Sequence, residues 1–198
     1  IQLFTLDLTS GQLTYVKGVK EVENPSFLIL TKDFQRLYAV VEVSEHQGNS
    51  GGGVVGYSIS EEGRTLNPLN NQPTNGNHPC HLSLSHSEDA LFVANYSGGS
   101  VAAYQVMKDG NLSGPSDFHQ HHGSSVNLKR QEGPHAHMAH LTPDGRHLLV
   151  TDLGTDQLMV YQINSQGKLD LIKDRCLKLP AGSGPRHLTF SNSNKSMY

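Results

Sequence analysis

The chain has 198 residues and a net charge of −3, with both signs scattered and no basic stripe, which argues against nucleic acid as a partner. Hydrophobic residues make up 35% and there are 20 glycines, a balance that fits a folded core rather than disorder. No apolar run approaches the roughly 18 residues of a membrane span, so no membrane partner is expected.

In chain order, a strand is predicted at Gln2-Leu3-Phe4, ending at a Ser10-Gly11 turn. Asn24-Pro25-Ser26-Phe27 opens a short strand; a second follows over Leu37 to Val41, and a third from Val55-Gly56-Tyr57 ends at Glu62-Gly63. Asn67 to Asn77 is polar and reads as an irregular connection. The pattern restarts at His78-Pro79-Cys80-His81, with strands over Leu91 to Asn95 and from Ala102-Ala103-Tyr104 and a turn at Asp109-Gly110. Gly114 to Glu132 reads as a second irregular connection, long enough to be a functional loop. A third unit opens at Gly133-Pro134-His135-Ala136-His137, continues through Leu148 to Asp152 and Met159-Val160-Tyr161, and turns at Gln166-Gly167. Gly184-Pro185-Arg186-His187 opens a fourth.

The unit prolines lie 54, 55 and 51 residues apart, and glycine at each later turn supplies the positive φ of a tight hairpin. Four short strands per unit of this length, with no convincing helix, indicate an all-β fold: a β-propeller of four-stranded antiparallel blades. Residues 1–198 read as one partial propeller domain with units starting near 24, 78, 133 and 184, incomplete at its C-terminus and at its N-terminus.

Counting six residues back from Asp33, Ser87, Pro143 and Asn192 places Phe27, His81, His137 and Arg186 at one repeat position, the start of the inner strand. That position varies where the repeat is otherwise regular, as expected of residues lining one channel mouth. A second ring comes from the end of the second strand, where Val41-Glu42, Asn95-Tyr96 and Asp152-Leu153 are equivalent pairs; Asn95 and Asp152 alternatively read as turn-makers. His135 and His137 alternate on one strand face, so a metal site completed by His119, His121 or His122 is weighed; with no fixed set of three or four ligands, no metal and no cofactor are expected. The run His119-Gln120-His121-His122 reads as a solvated loop and His140 as a packed histidine. Cys80 and Cys176, without CxxC spacing, read as buried free thiols of a reducing, cytoplasmic compartment; a removed leader before Ile1 is compatible with this opening. Arg186 offers a planar fork of donors for a carboxylate, a phosphate or a developing oxyanion.

Ala94-Asn95-Tyr96-Ser97-Gly98-Gly99-Ser100-Val101, Arg130-Gln131-Glu132-Gly133-Pro134-His135-Ala136-His137, Asp152-Leu153-Gly154-Thr155-Asp156 and Gly184-Pro185-Arg186-His187 together resemble the lactonase family of seven-bladed β-propellers. That family includes bacterial 6-phosphogluconolactonases and fungal carboxymuconate lactonising enzymes. The resemblance implies seven blades, a little over half of them in this chain, with the remaining blades as its packing partner. It implies a small anionic lactone as substrate, with hydrolysis of 6-phosphogluconolactone as the leading reading. A muconate-type lactonising isomerase, another sugar lactonase and a non-catalytic binding scaffold are the alternatives. Matching the muconate-type site makes His137 and Arg186 the catalytic pair, and its glutamate falls past Tyr198, at the position Glu42 holds in another blade. His81, His135, Asn95, Asp152, Glu42 and Arg130 are the expected substrate contacts, with Arg130 and Lys129 read either as phosphate ligands or as plain loop charges.

Overall fold

The computed structural model describes every residue except 61, 62 and 64, so Glu62 of the expected Glu62-Gly63 turn lies outside the described residues. The chain opens with a hairpin, β1 (Gln2–Leu6) against β2 (Leu13–Gly18). Three antiparallel sheets follow in sequence. Sheet I holds β3 (Leu28–Leu30), β4 (Arg36–Val41), β7 (Gly53–Ile59) and β8 (Leu66–Pro73), with the two-residue strands β5 (Glu45–His46) and β6 (Asn49–Ser50) forming a side ribbon. Sheet II is β9 (Pro79–Leu84), β10 (Ala90–Asn95), β11 (Ser100–Gln105) and β12 (Asp117–Gln120). Sheet III is β13 (Ala136–Leu141), β14 (His147–Asp152) and β15 (Gln157–Ile163), then an edge split into β16 (Leu169–Leu171) and β17 (Leu177–Lys178) by a 3₁₀ turn at Lys173–Arg175. That turn is the only helical segment among the described residues. Beyond it, Phe190 bridges Met197, and Thr189 and Tyr198 exchange backbone hydrogen bonds, so the fourth unit begins to pair but does not build a ladder.

The near-continuous apolar runs of these strands have a direct cause: each sheet is covered on both faces. Tyr38, Val40 and Val54 of sheet I pack on Leu82, Leu91, Val93 and Tyr104 of sheet II. The alternate residues Phe92, Ala94, Val101 and Ala103 turn to the other face and pack on Ala139, Leu148, Val150 and Tyr161 of sheet III. Leu149, Leu158 and Val160 then meet Leu188 and Phe190 of the next unit.

Two connections differ from the sequence reading. Asn67 to Asn77 is mostly strand: β8 is the longest strand, and its polar side chains serve the neighbouring sheet. Asn70 donates to and accepts from the Leu112 backbone at 2.6 and 2.8 Å, and Gln72 donates to the same carbonyl at 3.2 Å. Polarity here marks a strand that bonds sideways. Gly114 to Glu132 likewise contains β12 before it becomes a loop. His121, expected in solvent, is 4% exposed.

The ladders also correct the repeat alignment. Thr31, Ser85, Thr142 and Ser191 occupy one position, because each hydroxyl accepts from the backbone N–H that opens the following strand, at 3.0 to 3.2 Å. Counted from there, Phe27, His81, Met138 and His187 are equivalent, and Ser26, Cys80, His137 and Arg186 form the adjoining position. The expected single ring of Phe27, His81, His137 and Arg186 mixes the two. The cause is a turn reference set one residue off between the first two units and the last two.

Candidate active site

His137 sits at a register shift in β13: Ala136 faces Asp152 and Met138 faces Thr151, leaving His137 as the extra residue of a bulge. Cys80 is the extra residue of the matching bulge in β9, where Pro79 faces Asn95 and His81 faces Ala94. Bulges re-aim side chains, and this one turns His137 toward Arg186. The Arg186 Nε–H donates to His137 Nε2 at 3.0 Å. Arg186 is exposed, and among the described residues no carboxylate forms an ion pair with it. Burial, then the Arg186 charge, lowers the His137 pKa to about 4. The ring is therefore neutral near pH 7; with Nε2 accepting, its proton lies on Nδ1, which is buried without a partner.

Tyr96 joins the remaining groups. Its ring stacks on His135 with centroids 4.7 Å apart and meets His137 edge-on at 5.6 Å. Its hydroxyl accepts from an Arg130 Nη–H at 3.2 Å. His135 faces the Tyr96 carbonyl with Nδ1 at 3.2 Å and the Glu132 carboxylate with Nε2 at 3.3 Å. His187 meets His137 edge-on at 5.1 Å and lies 6.4 Å from His81. Arg130, Tyr96, His135, His137, His187 and Arg186 thus form one connected group, although 90 residues separate Tyr96 from Arg186.

Other expected site residues are placed differently. Asn95 is fully buried: its Nδ2 donates to Ser100 Oγ at 3.0 Å and to the Thr74 carbonyl at 3.4 Å. Asp152 is also fully buried. Its Oδ1 accepts from the backbone N–H groups of His135 (2.9 Å) and Thr155 (3.1 Å), and its Oδ2 from His121 Nδ1–H at 2.6 Å. His121 Nε2 accepts in turn from the Tyr161 hydroxyl at 2.9 Å. Both residues close turns; the Asp152 oxygens are all engaged, while Asn95 keeps one unpartnered atom, its buried Oδ1. His81 is 6% exposed and packed on Phe27 at 4.2 Å, and burial followed by neighbouring histidines lowers its pKa to about 3. Its place is in packing. Glu42 lies apart from the His137 group in hydrogen-bond terms and lines an open depression of about 470 Å³ with Asn24, Pro25 and Ser26. A second cavity, about 390 Å³, opens at the other end of the inner strands beside His86, His140, Pro143 and Phe190. Among the described residues, no three His, Cys, Asp or Glu side chains are grouped to hold a metal ion.

All 198 residues match the family described as lactonase, 7-bladed beta-propeller. The chain belongs to this family. Its successive antiparallel sheets, blades I to III, are consistent with partial propeller blades. The 6-phosphogluconolactonase of Bacillus subtilis is 32% identical over the whole chain, which covers 54% of that relative. A Bacteroides fragilis structure, provisionally described as a 6-phosphogluconolactonase, superposes with a TM-score of 0.91 at 35% identity, over all of this chain and 55% of that one. The Pseudomonas aeruginosa periplasmic gluconolactonase superposes with a TM-score of 0.87 at 32% identity, over all of this chain and 56% of that one. The chain spans about half the length of the curated relatives it matches.

Glu132 and His187 were not singled out by the sequence reading, and Tyr96 entered it only as the second-ring neighbour of Asn95. Each had a signal. Tyr96 occupies the blade position of Glu42, directly after Val41 and Asn95 at strand ends. His187 would have replaced Arg186 beside His81 had the units been aligned on their turn hydroxyls. Glu132 lies three residues before His135, and only the fold of the loop brings their side chains together.

Proposed function

We propose that the protein carrying this chain is a lactone hydrolase whose substrate is an anionic sugar lactone, 6-phosphogluconolactone, with Arg186 and His137 as its catalytic pair. The observation that carries this reading is the Arg186–His137 contact. One guanidinium N–H is tied to a neutral imidazole, and the Nη donors of an exposed arginine are left for a ligand. Water adds to the lactone carbonyl carbon, and the carbonyl oxygen gains the negative charge that a planar fork of donors stabilises. The ring C–O bond then breaks, a proton passes to the departing ring oxygen, and the open hydroxy acid leaves. His137 orients the fork through Nε2. A substrate anion that drew Arg186 outward would free the same lone pair to take the proton of the attacking water. Arg130, held by the Tyr96 hydroxyl and without an ion-paired carboxylate among the described residues, supplies a second cation for the phosphate. His135, stacked on Tyr96, shapes the wall between the two.

The relationship to a gluconolactonase favours a second reading, an unphosphorylated sugar lactone at the same catalytic pair. The test is hydrolysis of freshly prepared 6-phosphogluconolactone and glucono-lactone, each against its spontaneous rate and with chelator present. Acceleration of the phosphorylated lactone alone supports the first reading, and of the neutral one alone the second. Spontaneous rates for both would leave a non-catalytic binding propeller.

A further inference from the structure

The two arginines of the site arrive on different loops, Arg130 within 122–135 and Arg186 at the end of 179–186, and both loops are tied to one side chain. Asp156 lies on the turn between β14 and β15 and is fully buried. Its Oδ1 accepts from Gln131 Nε2 at 2.8 Å and from the Gly184 N–H at 2.7 Å. Its Oδ2 accepts from the Gly182 N–H at 2.7 Å and from the Ser125 hydroxyl. Its backbone carbonyl takes the Leu179 N–H at 2.8 Å. Gln131, 2% exposed, passes this anchorage on: Nε2 also donates to the Leu153 carbonyl at 2.9 Å, and Oε1 accepts from the Asn127 N–H at 3.1 Å. The carboxylate thus grips the residue next to Arg130 and the residue two before Arg186. Burial pushes its pKa up, but the donors from Ser125, Gly184, Gly182 and Gln131 outweigh this and hold it at about 2.

The neighbouring blade shows what the fold alone requires here. The residue equivalent to Asp156 in blade II is Gly99, and the two share a left-handed backbone, φ 57° for Gly99 and 53° for Asp156. Glycine meets that conformation without strain, and aspartate meets it at some cost. The scaffold can therefore make this turn without a carboxylate, and the carboxylate occurs in the blade whose flanking loops carry the arginines.

The geometry points to Asp156 as a positioning residue that sets the spacing of Arg130 and Arg186 across the Tyr96–His137 pair, so that both guanidinium groups meet one anionic lactone. This rests on the lactone reading above. The test uses two variants of the protein carrying this chain: Asp156→Asn, which keeps the shape and removes the charge, and Asp156→Gly, which adopts the residue of blade II and keeps the backbone. Hydrogen exchange should speed up by about tenfold or more in 122–135 and in 179–187, with β9 to β11 unchanged, because local opening of the two loops is uncoupled from the sheets. kcat/KM for the lactone should fall by about 100-fold, the effect of a small misplacement of a stabilising group. In an Arg130→Ala background, Asp156→Gly should cost clearly less than in the parent, since coupled residues are not additive. Faster exchange throughout all three sheets, or fully additive kinetic losses, would make Asp156 a general stabiliser and overturn the proposal. Unchanged exchange in either loop would overturn it too. If the parent protein accelerates neither lactone, the lactone reading falls, and the exchange measurements alone decide whether Asp156 holds the two loops.

Discussion

Blades II and III share the lengths of their two inner strands and the placement of the bulge, yet differ at the polar positions of the bulge and the strand end. Where blade II ends its second strand in Asn95, closed by Ser100 and a backbone carbonyl, blade III ends in Asp152, closed by two backbone N–H groups and the His121–Tyr161 pair. The bulge carries Cys80 in one blade and His137 in the other. Each has a close backbone approach, at positions that are not equivalent: a Cβ on Gly99 would lie 2.4 Å from the Pro134 carbonyl oxygen, and one on Gly154 would lie 1.9 Å from that of Gly133. The strand-end polar groups thus differ between the two blades while the ladder register on which they sit is the same. The connected group around His137 draws on blade III, its loops, Tyr96 of blade II and Arg186 and His187 of the fourth unit.

The largest effect expected from that asymmetry is at Arg186. Arg186→Lys keeps the charge but not the planar fork, and should lower turnover by about 10²- to 10³-fold. His137→Gln should lower turnover by a smaller factor and leave KM less affected. Both variants should keep the parent melting temperature within a few degrees, since Arg186 is exposed and its side chain contacts only His137 by hydrogen bond. Steady-state kinetics with melting curves alongside check this. Native turnover in both would remove the pair from the mechanism.

Exchanging the strand-end residues tests stability instead. Asp152→Ala leaves the buried His121 Nδ1–H and two backbone donors unpartnered, and should destabilise the protein by about 3 kcal/mol, as breaking a buried pair does. Asn95→Ala should cost about 1 kcal/mol, the scale of a neutral hydrogen bond. The two also differ in pH response. Asp152 is pushed up by burial, but the His121 contact and the backbone donors hold its pKa below the usual value. Its stabilisation is complete above the unfolded carboxylate pKa and lost as pH falls through the lower folded value. Urea midpoints measured from pH 7 down to pH 3 should show this acid loss in the parent and in Asn95→Ala, and a smaller one in Asp152→Ala.

The repeat was legible because strands and turns follow local rules: glycines at Gly11, Gly110 and Gly167 all take positive φ. Register was less legible. Counting from the turn centre mixed two positions, whereas the Thr31, Ser85, Thr142 and Ser191 hydroxyls mark the ladder itself. β8 escaped because its polar residues look like a loop until the neighbouring sheet supplies partners. Arg186 and His137 were readable as unusual residues at a repeat position, but their contact across 49 residues was not. For Asn95 and Asp152 the turn-making alternative is the one the burial fits, and His81 is buried in packing, since a polar residue at a strand end looks the same in sequence whether it faces ligand or a neighbouring blade.

His81 allows a subtler exchange, because the equivalent residue of blade I is Phe27, on which it packs. Burial, then the neighbouring histidines, lowers its pKa to about 3, so the folded state keeps it neutral while the unfolded chain binds a proton below about 6.5. Unfolding takes up that proton, so the stability His81 contributes is present above about pH 6.5 and declines as pH falls toward 3. Replacing it by the blade I residue, His81→Phe, should flatten the decline between pH 6.5 and 4 and leave stability at pH 7.5 within about 1 kcal/mol of the parent. An unchanged slope would show that other groups, His137 among them, carry it.

The smallest effect is expected at Cys80, where the blade I residue is Ser26. Cys80 Sγ–H donates to the His137 carbonyl at 3.3 Å, and a hydroxyl can make the same bond with a shorter reach. Burial, then the Glu42 charge, pushes the thiol pKa to about 12, so almost no thiolate exists at neutral pH. Two results follow from one environment. In the folded protein Cys80 should resist alkylation at pH 8, reacting only at the rate at which the inner strands open, whereas unfolding in urea should expose it fully. Cys80→Ser should shift stability by less than about 1 kcal/mol, because the site is polar on one side and packed on the other. Mass spectrometry of iodoacetamide-treated protein, before and after urea, reads the first, and a urea midpoint reads the second. Rapid folded-state alkylation of Cys80 would mean that the bulge beneath His137 is open to solvent. The fixed position of His137 against Arg186 would then have to come from the Tyr96 and His187 rings alone.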